Sequence, residues 1–170
     1  FMSAKQSRRT LANIASQKSN QFDPGEHNAL IKCIIEEFTP NFAPGGALVY
    51  ARNTRGKPGN FDADHLIPLG VNVDAHAQIP DVVLDDRRNN RLFLVEAITG
   101  NGLVNANRRK GLTRLFANVL PHLVYVTAFP NRSIAGRYLP NIAWETEVWV
   151  ADAPSHLIHL NGSRFLGPYS

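Results

Sequence analysis

Apolar residues recur at helical spacing from Leu30 through Ile31, Ile34 and Ile35 to Phe38, which predicts an amphipathic helix. Asp23-Pro24-Gly25-Glu26 supplies its start, with Asp as N-cap, Pro in the first turn and Glu three residues after the cap. The helix is expected to stop before Pro40, because proline cannot continue the hydrogen-bond ladder. The period then shortens. Gly45–Ala51 reads as a strand, and Arg52–Asn60 as a basic loop punctuated by Gly and Pro. Phe61–Leu69 fits neither period. Val82-Val83-Leu84 and Arg91–Ala97 read as two strands joined by a charged turn, Asp85–Asn90, into a hairpin. After a loop at Gly100–Gly102, a second helix starts near Asn105 and carries Leu112, Leu115, Phe116 and Val119 on one face. Leu123–Ala128 is a β-branched and aromatic strand between Pro121 and Pro130. A helix over residues 131–140, then strands at Thr146–Val150 and His156–Leu160, complete the chain. This order predicts an α/β domain with a mixed central β-sheet flanked by helices. Residues 1–22 are polar and read as a lead-in or marginal helix ahead of one domain over residues 23–170.

A chain of 170 residues, 44% hydrophobic and 19% charged, has enough apolar content to fold around a core. The net charge of +4 and pI of about 9.5 suit a polyanionic partner. The lone Cys33 excludes an internal disulfide and a cysteine-based zinc site, and fits a reducing compartment. It lies in an apolar stretch and is expected in the core. There is no long apolar run and no signal-peptide pattern, so no membrane partner and a cytoplasmic location are expected.

The candidate chemistry lies in the hairpin. Asp81, after Pro80, stands at the entrance of the first strand, and Glu96 stands fifteen residues later near the end of the second. Antiparallel pairing brings these positions together at one end of the sheet. Two hard oxygen ligands there suit Mg²⁺, the usual partner of phosphodiester hydrolysis. An Asp at a strand entrance also serves as a turn residue. A carboxylate following Leu-Phe-Leu-Val is costly unless it has a partner or a metal. Glu36 and Glu37, at the end of the first helix, are possible further ligands. Asp64-His65-Leu66-Ile67-Pro68-Leu69 looks like the start of an HNH nuclease, but Asn72, His76 and Asn89 do not complete that pattern and there are no paired cysteines. His65 is therefore expected to be structural or a surface hydrogen-bonding residue. Trp144 and Trp149 are expected in the core or a dimer interface, with base stacking as an alternative that the sequence does not support, and His156 and His159 as packing residues.

Pro-Asp and a following Glu on successive strands in this element order resemble the PD-(D/E)XK nuclease fold. The segments 79–84, Leu-Phe-Leu-Val-Glu-Ala (92–97), Leu-Val-Tyr-Val-Thr-Ala-Phe-Pro (123–130), Ile-Ala-Trp-Glu-Thr-Glu-Val-Trp (142–149) and 156–169 sharpen this. Over roughly residues 45–170 they resemble the catalytic C-terminal region of the BsuBI/PstI family of type II restriction endonucleases. Members of that family carry an N-terminal region, so the resemblance implies that part of the usual protein lies outside this chain. It also implies Asp81 and Glu96 as metal ligands for Mg²⁺, with Mn²⁺ as a possible substitute, a double-stranded DNA substrate and a symmetric homodimer. The family target CTGCAG carries over only weakly. The nuclease signature has Lys two residues after the Glu, where this chain has Ile98. Arg108, Arg109 and Lys110 at the start of the second helix, or Lys57, are the candidate replacement cations, with Arg109 taken as the catalytic one. Arg52, Arg55, Lys57, Arg87, Arg88, Arg108, Lys110 and Arg114 are expected to hold DNA phosphates. The missing Lys also leaves open a rival reading, a non-catalytic DNA-binding or assembly domain that keeps the fold.

Overall fold

Six strands form one mixed sheet in the order β1-β2-β3-β4-β5-β6: β1 Ala47–Ala51, β2 Val82–Asp86, β3 Arg91–Ala97, β4 His122–Phe129, β5 Glu147–Val150 and β6 Leu157–His159. The computed structural model describes residues 25–52, 62–71, 79–99, 104–119 and 121–164. The expected lead-in, Asp23 and Pro24, the basic residues Arg55 and Lys57 and the loop at Gly100–Gly102 lie outside the described residues; the first helix begins at Glu26 with Gly25, not Asp23, as its N-cap. β1, β2 and β3 run antiparallel, β3, β4 and β5 parallel, and β6 returns antiparallel to β5. Parallel neighbours need a crossover. Helix α3 (Ala106–Leu115) joins β3 to β4, and α4 (Arg132–Tyr138), followed by a 3₁₀ turn at Leu139–Asn141, joins β4 to β5.

Alternation along the strands divides the core between the two faces of the sheet. On one face Val82, Leu84, Phe93, Val95 and Trp149 pack against Leu30, Ile31, Ile34 and Phe38 of the first helix. Phe38 meets the edges of both Phe93 and Trp149, with ring centroids 5.6 and 5.7 Å apart. On the other face Val83, Leu92, Leu94 and Tyr125 meet Leu112 and Phe116 from α3 and its following turn. Further along, Ile98, Phe129, Val148 and Val150 meet Ala135 of α4. The centre of the sheet is therefore covered on both sides, as the near-continuous apolar run of β3 requires.

Several expectations are corrected. The first helix does not stop at Pro40. Glu26–Cys33 is α-helical, Ile34–Phe38 forms a π-helical turn and Thr39–Phe42 adds a last turn; together they are α1. The Thr39 amide donates to Ile34 O, five residues back, and the Thr39 hydroxyl donates to the same oxygen at 3.1 Å. The widened turn lets the chain carry Pro40 onward without the usual break. Asp85 and Asp86 are buried strand residues, not part of the hairpin turn, which comprises Arg87–Asn90 and ends with Asn90 at φ 52°. Asp86 accepts from Asn89 Nδ2 at 2.8 Å. The ambiguous segment contains a short helix, α2 (Ala63–Leu66), capped by Asp62. His65 on α2 bonds the buried Asp85 through Nε2 at 2.6 Å, so it fastens α2 to the sheet. Trp149 is core, but Trp144 is exposed. His156 and His159 are exposed as well; His159 pairs with Glu147 across the β5–β6 edge. Cys33 is half-buried at the margin of the core.

Phe38 links α1 to two strands that are not adjacent. Phe38→Ala is expected to cost about 3–5 kcal/mol, read as a lowered midpoint in denaturant. A loss below about 1 kcal/mol would contradict this packing account.

Candidate active site

The β2–β3 register pairs Val82 with Val95, so Asp81 and Glu96 stand one step beyond that pair, at one end of the hairpin. Both are buried, at 5% and 6% exposure. Asp81 Oδ2 accepts the Ala97 amide at 2.9 Å, which fixes the first carboxylate beside the second. Asp81 Oδ1 faces His27 Nε2 at 3.5 Å and Arg52 Nε at 3.4 Å. Arg52 is anchored in turn by donating from Nη2 to Ile79 O at 2.6 Å. Glu96 Oε1 accepts from Arg108 Nε at 2.6 Å, and Arg108 Nη2 reaches the same oxygen.

α3 supplies that arginine for a local reason. Asn105 is its N-cap, with a side chain that accepts from the Arg108 amide at 2.8 Å. This sets the helix phase and places Arg108 over the end of β3. The next residue points about 100° away. Arg109 accordingly bonds Glu145 at 3.1 Å and lies over the Tyr125 ring, 5.4 Å from its centroid. Arg108, rather than Arg109, is the cation brought to Glu96. Ile98 is fully buried in the apolar cluster against α4, so a lysine there would have to place its charge in that cluster.

The electrostatics follow from this crowding. Burial, and then the Asp81 charge, push the Glu96 carboxyl from its usual 4.5 up to about 7, against the opposing pull of Arg108 and Arg52. Hydrogen bonding to Asp81 raises the His27 imidazole above its ordinary value, despite partial burial. Thr127, the register partner of Glu96 on β4, has a buried hydroxyl with no hydrogen-bond partner among the described residues.

Other expected site residues are placed differently. Glu37 is half-buried on α1, and among the described residues no three His, Cys, Asp or Glu side chains form a metal-binding group. Arg87 and Arg88 sit in the hairpin turn, at the opposite end of β2 and β3 from Asp81 and Glu96. Arg87 bonds Asp85 at 3.0 Å, and Arg88 lies against Gly45. Lys110 and Arg114 are exposed on α3. Closeness in sequence misled here, because a hairpin carries its turn away from its open end. His27 was not anticipated. Its only signal is its position one turn before the apolar face of α1.

Comparison with known proteins agrees with this architecture. The BsuBI/PstI restriction endonuclease domain model matches residues 10–163, which takes in α1 and His27. The type II restriction enzyme BsuBI of Bacillus subtilis is 52% identical over 169 residues, covering 99% of this chain and 54% of that enzyme. The type II restriction enzyme AplI of Arthrospira platensis is 32% identical over 173 residues, covering 98% of this chain and 53% of that enzyme. The SdaI restriction endonuclease structure superposes with a TM-score of 0.81 at 47% identity, over 87% of this chain and 47% of that one. The fold is the α/β, PD-(D/E)XK-like fold of a restriction endonuclease. The chain belongs to the BsuBI/PstI restriction endonuclease domain family. It spans about half the length of the relatives it matches.

The raised Glu96 carboxyl gives a pH signature in the metal-free protein. Between about pH 4.5 and 7 the folded state holds a proton that the unfolded state has released. This contribution to stability is complete below 4.5 and is lost as pH rises through 7. Glu96→Gln is expected to exceed the parent in stability at pH 8 by about 1–2 kcal/mol, with the difference closing by pH 4.5. Denaturant melts at the two pH values, in chelator, check it; an equal difference at both would contradict it.

Proposed function

We propose that residues 23–170 form the catalytic domain of a type II restriction endonuclease that hydrolyses DNA phosphodiester bonds at a specific, palindromic site. The observation that carries this reading is the buried pair Asp81 and Glu96, two like charges held side by side and faced by Arg108, Arg52 and His27. We assign the protein to the bacterial-type cytoplasm and to a homodimer in which each protomer cuts one strand.

The donor set fits a divalent ion. Both ligands are hard oxygens, their mutual repulsion is relieved by a cation, and Mg²⁺ needs few protein ligands because it keeps much of its water. Mg²⁺ held by Asp81 and Glu96, with Mn²⁺ as a substitute, would supply a Lewis acid for the phosphate and an acidified water. The Ala97 amide keeps Asp81 aligned with Glu96. His27 and Arg52 hold the outer oxygen of Asp81. Arg108 neutralises Glu96 in the free protein, and its planar fork suits a phosphate oxygen once DNA arrives. It thus takes the part of the lysine that Ile98 replaces. Lys110 and Arg114, exposed on the same helix, add contacts to backbone phosphates.

Cleavage of plasmid and phage DNA in Mg²⁺ tests the reading. Discrete fragments are expected, abolished by EDTA and by Asp81→Ala. Arg108→Ala is expected to lower the cleavage rate by about 10²–10³-fold, as loss of a transition-state donor does, with partial recovery in Arg108→Lys. Salt-sensitive DNA binding without cutting would favour the non-catalytic domain that Ile98 leaves open. An unchanged rate in Arg108→Ala would remove that residue from the chemistry.

A further inference from the structure

The segment from Ala143 to Thr146 crosses from α4 to β5 beside the start of α3, and hydrogen bonds tie it to the chain on both sides. The Ala143 amide donates to Val104 O at 2.9 Å, and the Glu145 amide to Leu160 O at 2.6 Å. The Thr146 hydroxyl closes the turn on Ala143 O at 2.7 Å. Glu145 has φ 60°, a left-handed conformation that a residue with a side chain adopts only when its surroundings impose it. Its carboxylate is held by Arg109 at 3.1 Å and Arg164 at 3.4 Å. Gly162 lies against the same turn, where a Cβ would stand 3.1 Å from Glu145 Cγ and 3.5 Å from Trp144 Cβ.

Within this fixed turn, the Trp144 side chain is left 68% exposed. Ala143 and Thr146 on either side of the pair are buried, so the segment as a whole is not loose. An indole presented on a strained, well-anchored support has lost its backbone freedom in advance, which favours binding. Its surroundings define the ligand. Arg109 and Arg164 meet at the carboxylate of Glu145, the next residue, and Arg109 follows Arg108, which is bonded to Glu96. An exposed aromatic with cations held at the neighbouring residue suits DNA, whose phosphates attract the cations and whose base steps admit an inserted ring. A second copy of this chain would bring the same cations against each other, so charge favours nucleic acid.

We propose that Trp144 inserts as a wedge at a base step of the bound duplex beside the phosphate to be cut, partly unstacking that step, and so sets the strand in register with the arginines at the start of α3. This inference rests on the nuclease reading above. It adds a DNA-contacting aromatic whose support, through Glu145 and Arg109, belongs to the same helix that serves Glu96.

The chain carries two tryptophans, and the other, Trp149, is buried and donates from Nε1 to Pro154 O at 3.0 Å. Tryptophan emission therefore reports separately on Trp144 once Trp144→Phe is compared with the parent. Labelled duplex is titrated in Ca²⁺ without Mg²⁺, with binding read by anisotropy and emission recorded alongside. The parent is expected to lose emission and become protected from acrylamide as duplex binds, whereas Trp144→Phe binds with no duplex-dependent emission change. Trp144→Ala is expected to weaken binding by about 10-fold, the gain from ring contact being partly offset by the cost of unstacking the step, with an unchanged melting curve. Duplex bound with silent emission, or with parent affinity in Trp144→Ala, would overturn this inference and leave the nuclease reading standing. Emission that changes with protein concentration alone would assign the indole to a second copy and overturn it as well. No anisotropy change in the parent would overturn both.

Discussion

Asp81 and Glu96 are two carboxyl groups that would carry the same charge when ionised, both are more than nine-tenths buried, and the hairpin register sets them side by side. Burying one unpaired carboxylate is already costly; placing a second beside it raises the proton affinity of the site further. Every neighbouring element is arranged around that constraint. Asp81 takes the Ala97 amide and is faced by His27 from α1 and by Arg52 just past β1. Glu96 takes Arg108 from α3. The apolar clusters on the two faces of the sheet hold these elements in place, so the site depends on the core at both faces.

The replacement of the signature lysine by Ile98 follows from the same geometry. Position 98 lies in the cluster beneath α4, where an apolar side chain completes the packing. The cation that meets Glu96 comes from a helix, and a helix divides adjacent residues between different directions. Arg108 turns to Glu96, while Arg109 turns to Glu145 and the Tyr125 ring. One short basic run therefore serves the carboxylate site and also fixes the turn that carries Trp144.

Much of the fold was legible because the period of apolar residues is clear in most elements. The hairpin of β2 and β3, the strand at β4 and the helix at α3 all follow from it, as does the pairing of Asp81 with Glu96. What was missed has physical causes. A proline normally ends a helix, but a π-helical turn before Pro40 absorbs the disruption. Asp85 and Asp86 looked like turn residues because they are charged, yet each is buried against a side-chain partner, His65 or Asn89. The identity of the arginine at Glu96 depends on helix phase, which the Asn105 cap sets and composition does not reveal. His27 reaches the site from a helix more than fifty residues away in sequence, and only the packing of α1 on the sheet brings it there. Trp144 was expected in the core or a dimer interface; it is exposed, on a turn whose next residue, Glu145, is left-handed.

The central claim is that Asp81 and Glu96 form a cation-binding pair whose charge is only provisionally balanced by Arg108. The most direct test is calorimetric titration of the DNA-free chain with Mn²⁺ at pH 8 and at pH 6, in buffers of different ionisation enthalpy. The account predicts uptake at pH 8, weaker uptake with proton release at pH 6, where Glu96 is protonated in the free protein, and loss of both in Asp81→Asn. No Mn²⁺ uptake by the parent at pH 8, or uptake that survives intact in Asp81→Asn, would contradict it.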